Sequence, residues 1–140
     1  MKAAVWDASV LFKLIVVEED SHLAESLILS TRAFVPDFAF LEIGNALWSH
    51  IHSGHADYRD VEPLIGYLRN LNLETRQIDR FVDRALEMAS LIDHPIYDCI
   101  YLAMAEDYDV PLVTADKRFV LALRRSDLAN ADVRLLGELA

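Results

Sequence analysis

Residues 3–12, AAVWDASVLF, decide the fold and pose a chemical question. The first four residues predict a short apolar strand, and the apolar character resumes at Val10. Asp7 stands between the two apolar stretches. A carboxylate among buried groups costs about 2–7 kcal/mol unless something pairs with it. The question is what Asp7 pairs with in a chain of net charge -10.

Length and composition limit the answers. A chain of 140 residues has the size of one domain, spanning 1–140, with a core that needs no disulfide or structural metal. Its one cysteine, Cys99, excludes an intramolecular disulfide and fits a reducing compartment. Asp7 and Lys13 interrupt the N-terminal apolar runs before they reach the length of a signal peptide or a membrane span. We therefore expect a cytoplasmic protein that does not enter the membrane.

The charge balance, 23 acidic against 13 basic residues, argues at first against a nucleic-acid partner, because phosphate binding relies on Lys and Arg. The basic residues are unevenly placed, however, and ten of them lie beyond residue 58. Solvated helix faces account for most of these groups. Acidic charge also accumulates at divalent-metal sites, where the ion reverses the local sign.

Strands and helices alternate along the chain. Apolar stretches predict strands at 3–6, 33–36, 73–78, 111–116 and 133–136. Helical patterns occupy 9–17, 20–30, 37–53, 58–70 with a kink or a late start at Pro63, 79–92, 96–109 and 117–125. This alternation predicts an α/β fold, a sandwich of helices around a mainly parallel sheet.

Two acidic residues follow predicted strands. Asp7 ends the first strand, and Asp116 follows the apolar strand that contains Thr114. Parallel strands point their carboxyl ends the same way, and ligands bind at that edge. The alternative is that each aspartate caps the following helix, and for either one alone capping is the favoured interpretation. Ser9 competes with Asp7 for the first cap.

The helix at 37–53 supplies a third acid. Glu42, Asn45, Ser49 and His52 recur at helical spacing and form one polar stripe. A solvent-facing stripe is the alternative, and it is favoured for Ser49 and His52. Glu42 lies among close apolar neighbours in the sequence, so a solvent-facing position explains this residue less well. The expected core residues of this helix are Phe38, Leu41, Ile43, Leu47, Trp48 and Ile51.

Asp98 is the fourth acid, near the start of the apolar helix after Pro95. The helix dipole favours an acid there by about 0.3–1 kcal/mol, which is a purely structural explanation. The apolar residues around it indicate that most of this helix is buried, and a buried aspartate requires a cation. Cys99 beside it is expected to be a small core residue, because no His–Asp arrangement accompanies it.

Together the four acids indicate a chemistry that none indicates alone. Close carboxylate pairs repel by about 4 kcal/mol at an effective dielectric near 20, so without a counter-charge some of them stay protonated. Hard divalent cations such as Mg²⁺ relieve this repulsion and prefer oxygen ligands. Such ions also activate water against a phosphodiester. The set therefore predicts metal-dependent phosphodiester hydrolysis.

Four segments, VWDASVL, LEIGNAL, YDCIYLAMAE and LVTADKRF, resemble the motifs of PIN domains, and more narrowly those of VapC-type toxins from toxin–antitoxin pairs. The resemblance covers nearly the whole chain. The gaps of 35, 56 and 18 residues between Asp7, Glu42, Asp98 and Asp116 suit the family's acidic quartet. The resemblance implies a three-layer α/β/α sandwich (PIN-like) and a Mg²⁺- or Mn²⁺-dependent endoribonuclease. We expect its cleavage to leave a 5′-phosphate and a 3′-hydroxyl.

The resemblance also implies further residues and partners. Ser9 and Thr114 match accessory hydroxyl positions, and Asn45 matches a polar neighbour of the glutamate. Lys117 and Arg118 follow the last acid and are candidate contacts for RNA phosphate, with surface solvation as the alternative. Three of the acids, Asp7, Asp98 and Asp116, are expected to ligate the metal, and Glu42 to orient a water or complete the metal shell. Expected partners are an RNA substrate, a VapB-like antitoxin and a second copy in a homodimer.

Three other classes of protein are alternatives. A phosphorelay receiver domain needs an acidic pair after its first strand, which VWDAS lacks. A haloacid-dehalogenase-like phosphatase needs a second aspartate two residues after the first, where this chain has Ser9. A PIN-like module without catalysis, binding RNA or protein, remains the main alternative, and the intact quartet counts against it.

Overall fold

The computed structural model describes residues 1–140 and contains one five-stranded sheet in the order β3-β2-β1-β4-β5. Every neighbouring pair of strands is parallel. The strands are β1 (Ala3–Trp6), β2 (Arg32–Pro36), β3 (Leu73–Arg76), β4 (Leu112–Thr114) and β5 (Val133–Leu135). The predicted α/β fold with a parallel central sheet is confirmed.

Eight helices surround the sheet. They are α1 (Ala8–Phe12), α2 (Ser21–Ser30), α3 (Ala39–His52), α4 (Tyr58–Val61), α5 (Leu64–Arg69), α6 (Val82–Ile92), α7 (Ile96–Tyr108) and α8 (Lys117–Arg124). Two 3-10 segments, Asp79–Phe81 and Leu136–Leu139, complete the chain. None of the helices has the length and apolar character needed to cross a membrane.

Strand β1 lies at the centre of the sheet and fixes where the site forms. Its last three residues are fully buried, as expected for a parallel strand covered on both faces. Val5 and Trp6 pair with Leu112 and Val113 of β4, so the carboxyl ends of these two strands are neighbours. The chain leaves β1 toward β2 on one side, while β4 lies on the other. That reversal of strand order is where open α/β sheets bind ligands.

Three boundaries follow from particular residues. The region predicted as one helix at 58–70 breaks at Pro63 into α4 and α5, which confirms the predicted kink. Gly54, at a φ of +80°, lies just beyond α3 and ends it. The strand predicted at 111–116 is shorter, because the chain turns after Thr114 to place Asp116 at the start of α8.

Two predictions were wrong. The helix expected at 9–17 ends at Phe12, because the β-branched run from Ile15 to Val17 disfavours helix and the chain turns instead. Most of its apolar side chains still pack against the core, but Val17 is 93% exposed. On α3, Leu41 and Trp48 were expected in the core and are 76% and 57% exposed.

Candidate active site

Asp7 lies where β1 passes into α1, and its carboxylate is satisfied by two hydroxyl groups. Its Oδ2 accepts hydrogen bonds from Ser9 Oγ at 2.6 Å and from Thr114 Oγ1 at 2.7 Å. The residue is 7% exposed. Although Asp7 occupies the N-cap position of α1, its side chain makes no capping bond. The capping interpretation is therefore wrong for Asp7.

Burial raises the pKa of the Asp7 carboxyl from 3.8 to about 6. The bonds from Ser9 and Thr114 oppose the rise, while the nearby charges of Asp98 and Asp116 add to it. No basic side chain contributes to this balance. A buried acid with this pKa is near the midpoint of its titration at slightly acidic pH.

Asp116 begins α8 and does cap its helix. Its Oδ1 accepts hydrogen bonds from the backbone N–H groups of Arg118 at 3.0 Å and Phe119 at 3.2 Å. The capping interpretation is confirmed for this residue. Its other carboxylate oxygen makes no hydrogen bond within the protein. One side chain can thus start a helix and still offer an oxygen ligand.

The two hydroxyl groups tie these acids together. Ser9 Oγ accepts a bond from the backbone N–H of Ala115 at 3.0 Å, and Thr114 Oγ1 accepts one from that of Asp116 at 3.1 Å. The two hydroxyl oxygens are 3.4 Å apart. The residues predicted as accessory hydroxyls therefore connect the end of β1 to the turn after β4.

Glu42 enters from the first turn of α3, and Tyr101 of α7 holds it. The Tyr101 hydroxyl donates to Glu42 Oε1 at 2.5 Å. Burial raises the pKa of Glu42 to about 7; the Tyr101 bond opposes this rise, and the charges of Asp7 and Asp98 add to it. Asn45, one helical turn further, is exposed and lines the same shallow cleft as Glu42.

Asp98 lies in the first turn of α7 and contacts a histidine that the sequence did not single out. His94 Nε2 is 2.6 Å from Asp98 Oδ2, and both side chains are mostly buried. The His94 ring packs against Phe119 at 5.2 Å between centroids. Cys99 is buried as expected, and burial raises the pKa of its thiol to about 11, which keeps it protonated.

Tyr101 and His94 were missed by sequence reasoning. Both lie at helical spacing from Asp98, three residues after it and four before it. That spacing was the available signal. Tyr101 is a large apolar ring in an apolar helix, however, and His94 precedes the helix, so neither stands out without the fold.

The structure brings all four predicted acids to one edge of the sheet. Thr114 bonds both Asp7 and the backbone N–H of Asp116, and Tyr101, one turn after Asp98, bonds Glu42. The charges of Asp98 and Asp116 act on Asp7, and those of Asp7 and Asp98 act on Glu42. Repelling, partly buried carboxylates are the donor set that fits a hard divalent cation. Each of the four carboxylates already contacts another group of the protein. In this arrangement no three of them are placed to ligate one ion. Lys117 and Arg118 are exposed beside this edge, and neither forms an ion pair.

Comparison with known proteins gives the family. The PIN domain family matches residues 4–122, and the chain belongs to that family. This assignment sets aside the receiver and haloacid-dehalogenase alternatives.

Solved structures share the fold at low sequence identity. PAE2754 from Pyrobaculum aerophilum is 22% identical, with a TM-score of 0.69 over 87% of this chain and 79% of its own. A toxin–antitoxin complex from Klebsiella pneumoniae contains a chain 14% identical, with a TM-score of 0.61 over 95% and 97%. VapC20 of Mycobacterium tuberculosis, a sarcin–ricin loop cleaving toxin, is 14% identical, with a TM-score of 0.63 over 85% and 94%. No curated protein matches the sequence.

Proposed function

We propose that this PIN-domain protein is a divalent-metal-dependent endoribonuclease and the toxin of a VapBC-type toxin–antitoxin pair. The observation that supports it best is that four carboxylates lie near the ends of β1 and β4, close enough that neighbouring acids help to raise the pKa of Asp7 and of Glu42. The similarity in fold to VapC20, a sarcin–ricin loop cleaving toxin, supports the same choice.

Asp7, Asp98 and Asp116 would hold the ion, and Glu42 would complete its shell or orient a water. Bound Mg²⁺ or Mn²⁺ would activate water and offset the charge on the phosphate under attack. Ser9 and Thr114 hold the Asp7 carboxylate in place. Asn45, on the rim of the cleft, would contact the RNA near the scissile phosphate.

Lys117 and Arg118 would bind the flanking phosphates. They are the basic residues closest in sequence to the site, and neither is committed to an ion pair. In contrast, Arg80 pairs with Asp107 and Arg84 with Glu106. These two arginines are thus engaged with acidic side chains of α7.

The test is cleavage of a structured RNA by purified protein with Mg²⁺, with Mn²⁺ and with EDTA. Asp98→Asn removes one charge from the site. Asp107→Asn is the matched control, because it makes the same change on the same helix at an exposed position. We expect cleavage that requires metal, disappears in Asp98→Asn and persists in Asp107→Asn.

Cleavage that continues in EDTA and in Asp98→Asn would contradict the proposal. The second candidate, a PIN-like binding module without catalysis, is favoured by one observation: each acid already has a protein partner, and no three converge as ligands. RNA binding that is equally strong with Mn²⁺ and with EDTA, without cleavage, would favour that module.

We further propose a VapB-like antitoxin and a homodimer as the protein partners. The Klebsiella pneumoniae neighbour, determined in a toxin–antitoxin complex, matches this chain over almost its full length. Exposed Leu41 and Trp48 on α3 supply apolar surface for a protein contact. Light scattering on the purified chain tests the dimer, and co-purification with the product of a neighbouring small reading frame tests the antitoxin.

A further inference from the structure

Tyr101 is a fully buried tyrosine whose polar end lies among the acids. Its ring is 0% exposed and packs against Phe38 at 5.3 Å between centroids. A buried tyrosine hydroxyl normally finds a hydrogen-bond partner, and here that partner is Glu42 Oε1 at 2.5 Å. A phenylalanine would fill the same space, so the oxygen needs its own explanation.

The hydroxyl of Tyr101 lies close to three segments that carry acids. Tyr101 lies one turn after Asp98 on α7, and its partner Glu42 lies on α3. The backbone amide of Ala8, next to Asp7, also lies close enough to favour the ionised hydroxyl. Burial and the charges of Asp7 and Glu42 outweigh this effect and raise the pKa of Tyr101 far above its usual value. A phenolic hydroxyl is protonated near neutral pH, and its 2.5 Å contact with Glu42 Oε1 identifies it as the donor.

This donor acts on one oxygen of Glu42. Glu42 Oε1 accepts the bond, and its other oxygen has no hydrogen-bond partner in the protein. The glutamate also lines the shallow cleft formed with Phe38, Leu41, Asn45 and Tyr97. Tyr101 thus fixes one Glu42 oxygen from the buried side. The other Glu42 oxygen stays available to a group that enters the cleft.

We propose that Tyr101 is the positioning residue for Glu42, holding one carboxylate oxygen so that the other faces the reaction. Its effect on cleavage rests on the proposed function, but the positioning itself is a property of the protein without metal or RNA. Tyr101 makes no contact with the substrate in this proposal and acts through Glu42.

The test compares two substitutions that each remove one oxygen from α7. Tyr101→Phe removes the hydroxyl bonded to Glu42. Tyr108→Phe, the matched control, removes a hydroxyl two turns later that makes no hydrogen bond and packs against Phe34 and Phe81. Both proteins are checked for folding by thermal unfolding before any other measurement.

The first readout is the titration of the Glu42 carboxyl carbon by NMR in metal-free protein, assigned by its loss in Glu42→Gln. The groups facing Glu42 are Asp7, Asp98 and Tyr101. Loss of the donor is expected to raise the pKa of Glu42 above its wild-type value of about 7, while Tyr108→Phe leaves it unchanged. An unchanged Glu42 titration in Tyr101→Phe would overturn the inference.

The second readout is steady-state RNA cleavage at saturating metal. Removing a group that orients a metal-site ligand typically costs about 10–100-fold, and we expect that loss in kcat with KM unchanged. A shifted Glu42 titration in a protein that never cleaves RNA would refute the proposed function and support the positioning. Normal kcat in Tyr101→Phe would overturn the role of Tyr101 in the reaction.

If Tyr101→Phe does not fold, the wild-type protein supplies the measurement. A hydroxyl proton held between Tyr101 and Glu42 should give an exchange-protected NMR resonance that Glu42→Ala removes. Absence of that resonance in the wild type would refute the bond.

Discussion

Thr114 Oγ1 donates a hydrogen bond to Asp7 Oδ2 across 107 positions of sequence. This bond, with the one from Ser9, answers the question raised by residues 3–12: within the protein, Asp7 pairs with two neutral hydroxyls and with no basic side chain. Hydroxyl donors reduce the cost of burying a charge but leave the charge uncompensated. The site therefore favours either a proton or a cation on Asp7.

Asp7→Asn should stabilise the metal-free protein above neutral pH. An acid whose pKa is higher in the folded state binds its proton more tightly there, so stability falls as pH rises from about 4 to about 6. A pKa raised to about 6 corresponds to about 3 kcal/mol, at 1.36 kcal/mol per unit. In urea unfolding with EDTA, the free energy of unfolding of the variant should exceed that of the wild type by up to this amount at pH 8. The difference should be small at pH 4. A variant less stable than wild type at pH 8 would contradict the pKa.

Metal binding should release protons in a pH-dependent way. Ligating carboxylates must be ionised, and Asp7 and Glu42 have pKa values of about 6 and about 7. We expect release of about one proton at pH 6.5 and close to none at pH 8.5. Calorimetric titration with Mn²⁺ in two buffers of different ionisation enthalpy measures this number. Equal release at both pH values would show that these acids do not bind the ion.

Two substitutions of Asp116 should separate its role as a helix cap from its role in cleavage. Asp116→Asn keeps an oxygen that can accept the N–H bonds of Arg118 and Phe119, whereas Asp116→Ala removes it. Loss of an N-cap costs about 1 kcal/mol. Both variants should lose cleavage, but only the alanine variant should lose that stability in urea unfolding. Equal stability of the two would mean that the cap contributes nothing.

His94→Ala should reduce cleavage through Asp98. The imidazole holds one Asp98 oxygen at 2.6 Å, and loss of such a partner typically costs about 10–100-fold. His94→Gln, which keeps a donor group, should retain more activity than the alanine variant. His22→Ala is the control, since the His22 side chain is fully exposed. Initial rates with Mn²⁺ compare the variants, and full activity in His94→Ala would exclude this role.

The sheet and the acidic positions were predictable because each depends on a local pattern. Short apolar runs marked the strands, and the rule that parallel strands end at one edge brought Asp7 and Asp116 together. The end of α1 was not predictable from the same pattern. Apolar residues continue past Phe12 whether the backbone is helical or turning, and the β-branched run from Ile15 to Val17 disfavours helix too weakly to mark where it ends.

Hydrophobicity also failed to separate core from surface on α3. Ala39, Ile43 and Leu47 share the buried face, while Leu41 and Trp48 are equally apolar and lie on the opposite side. A single sequence does not distinguish a core residue from one reserved for a partner. The role of Tyr101 was not predicted for a related reason. Its ring packs like that of phenylalanine, and only its hydroxyl oxygen contacts Glu42.

The order of the strands also has a consequence for synthesis of the chain. β1 is made first, yet its neighbour on one side, β4, begins only at Leu112. Until that strand emerges from the ribosome, Asp7 lacks the Thr114 hydroxyl, and Asp116 is absent. A nascent chain shorter than this carries two or three of the acids without the arrangement that unites them. The site is therefore complete only after β4 and Asp116 have been synthesised.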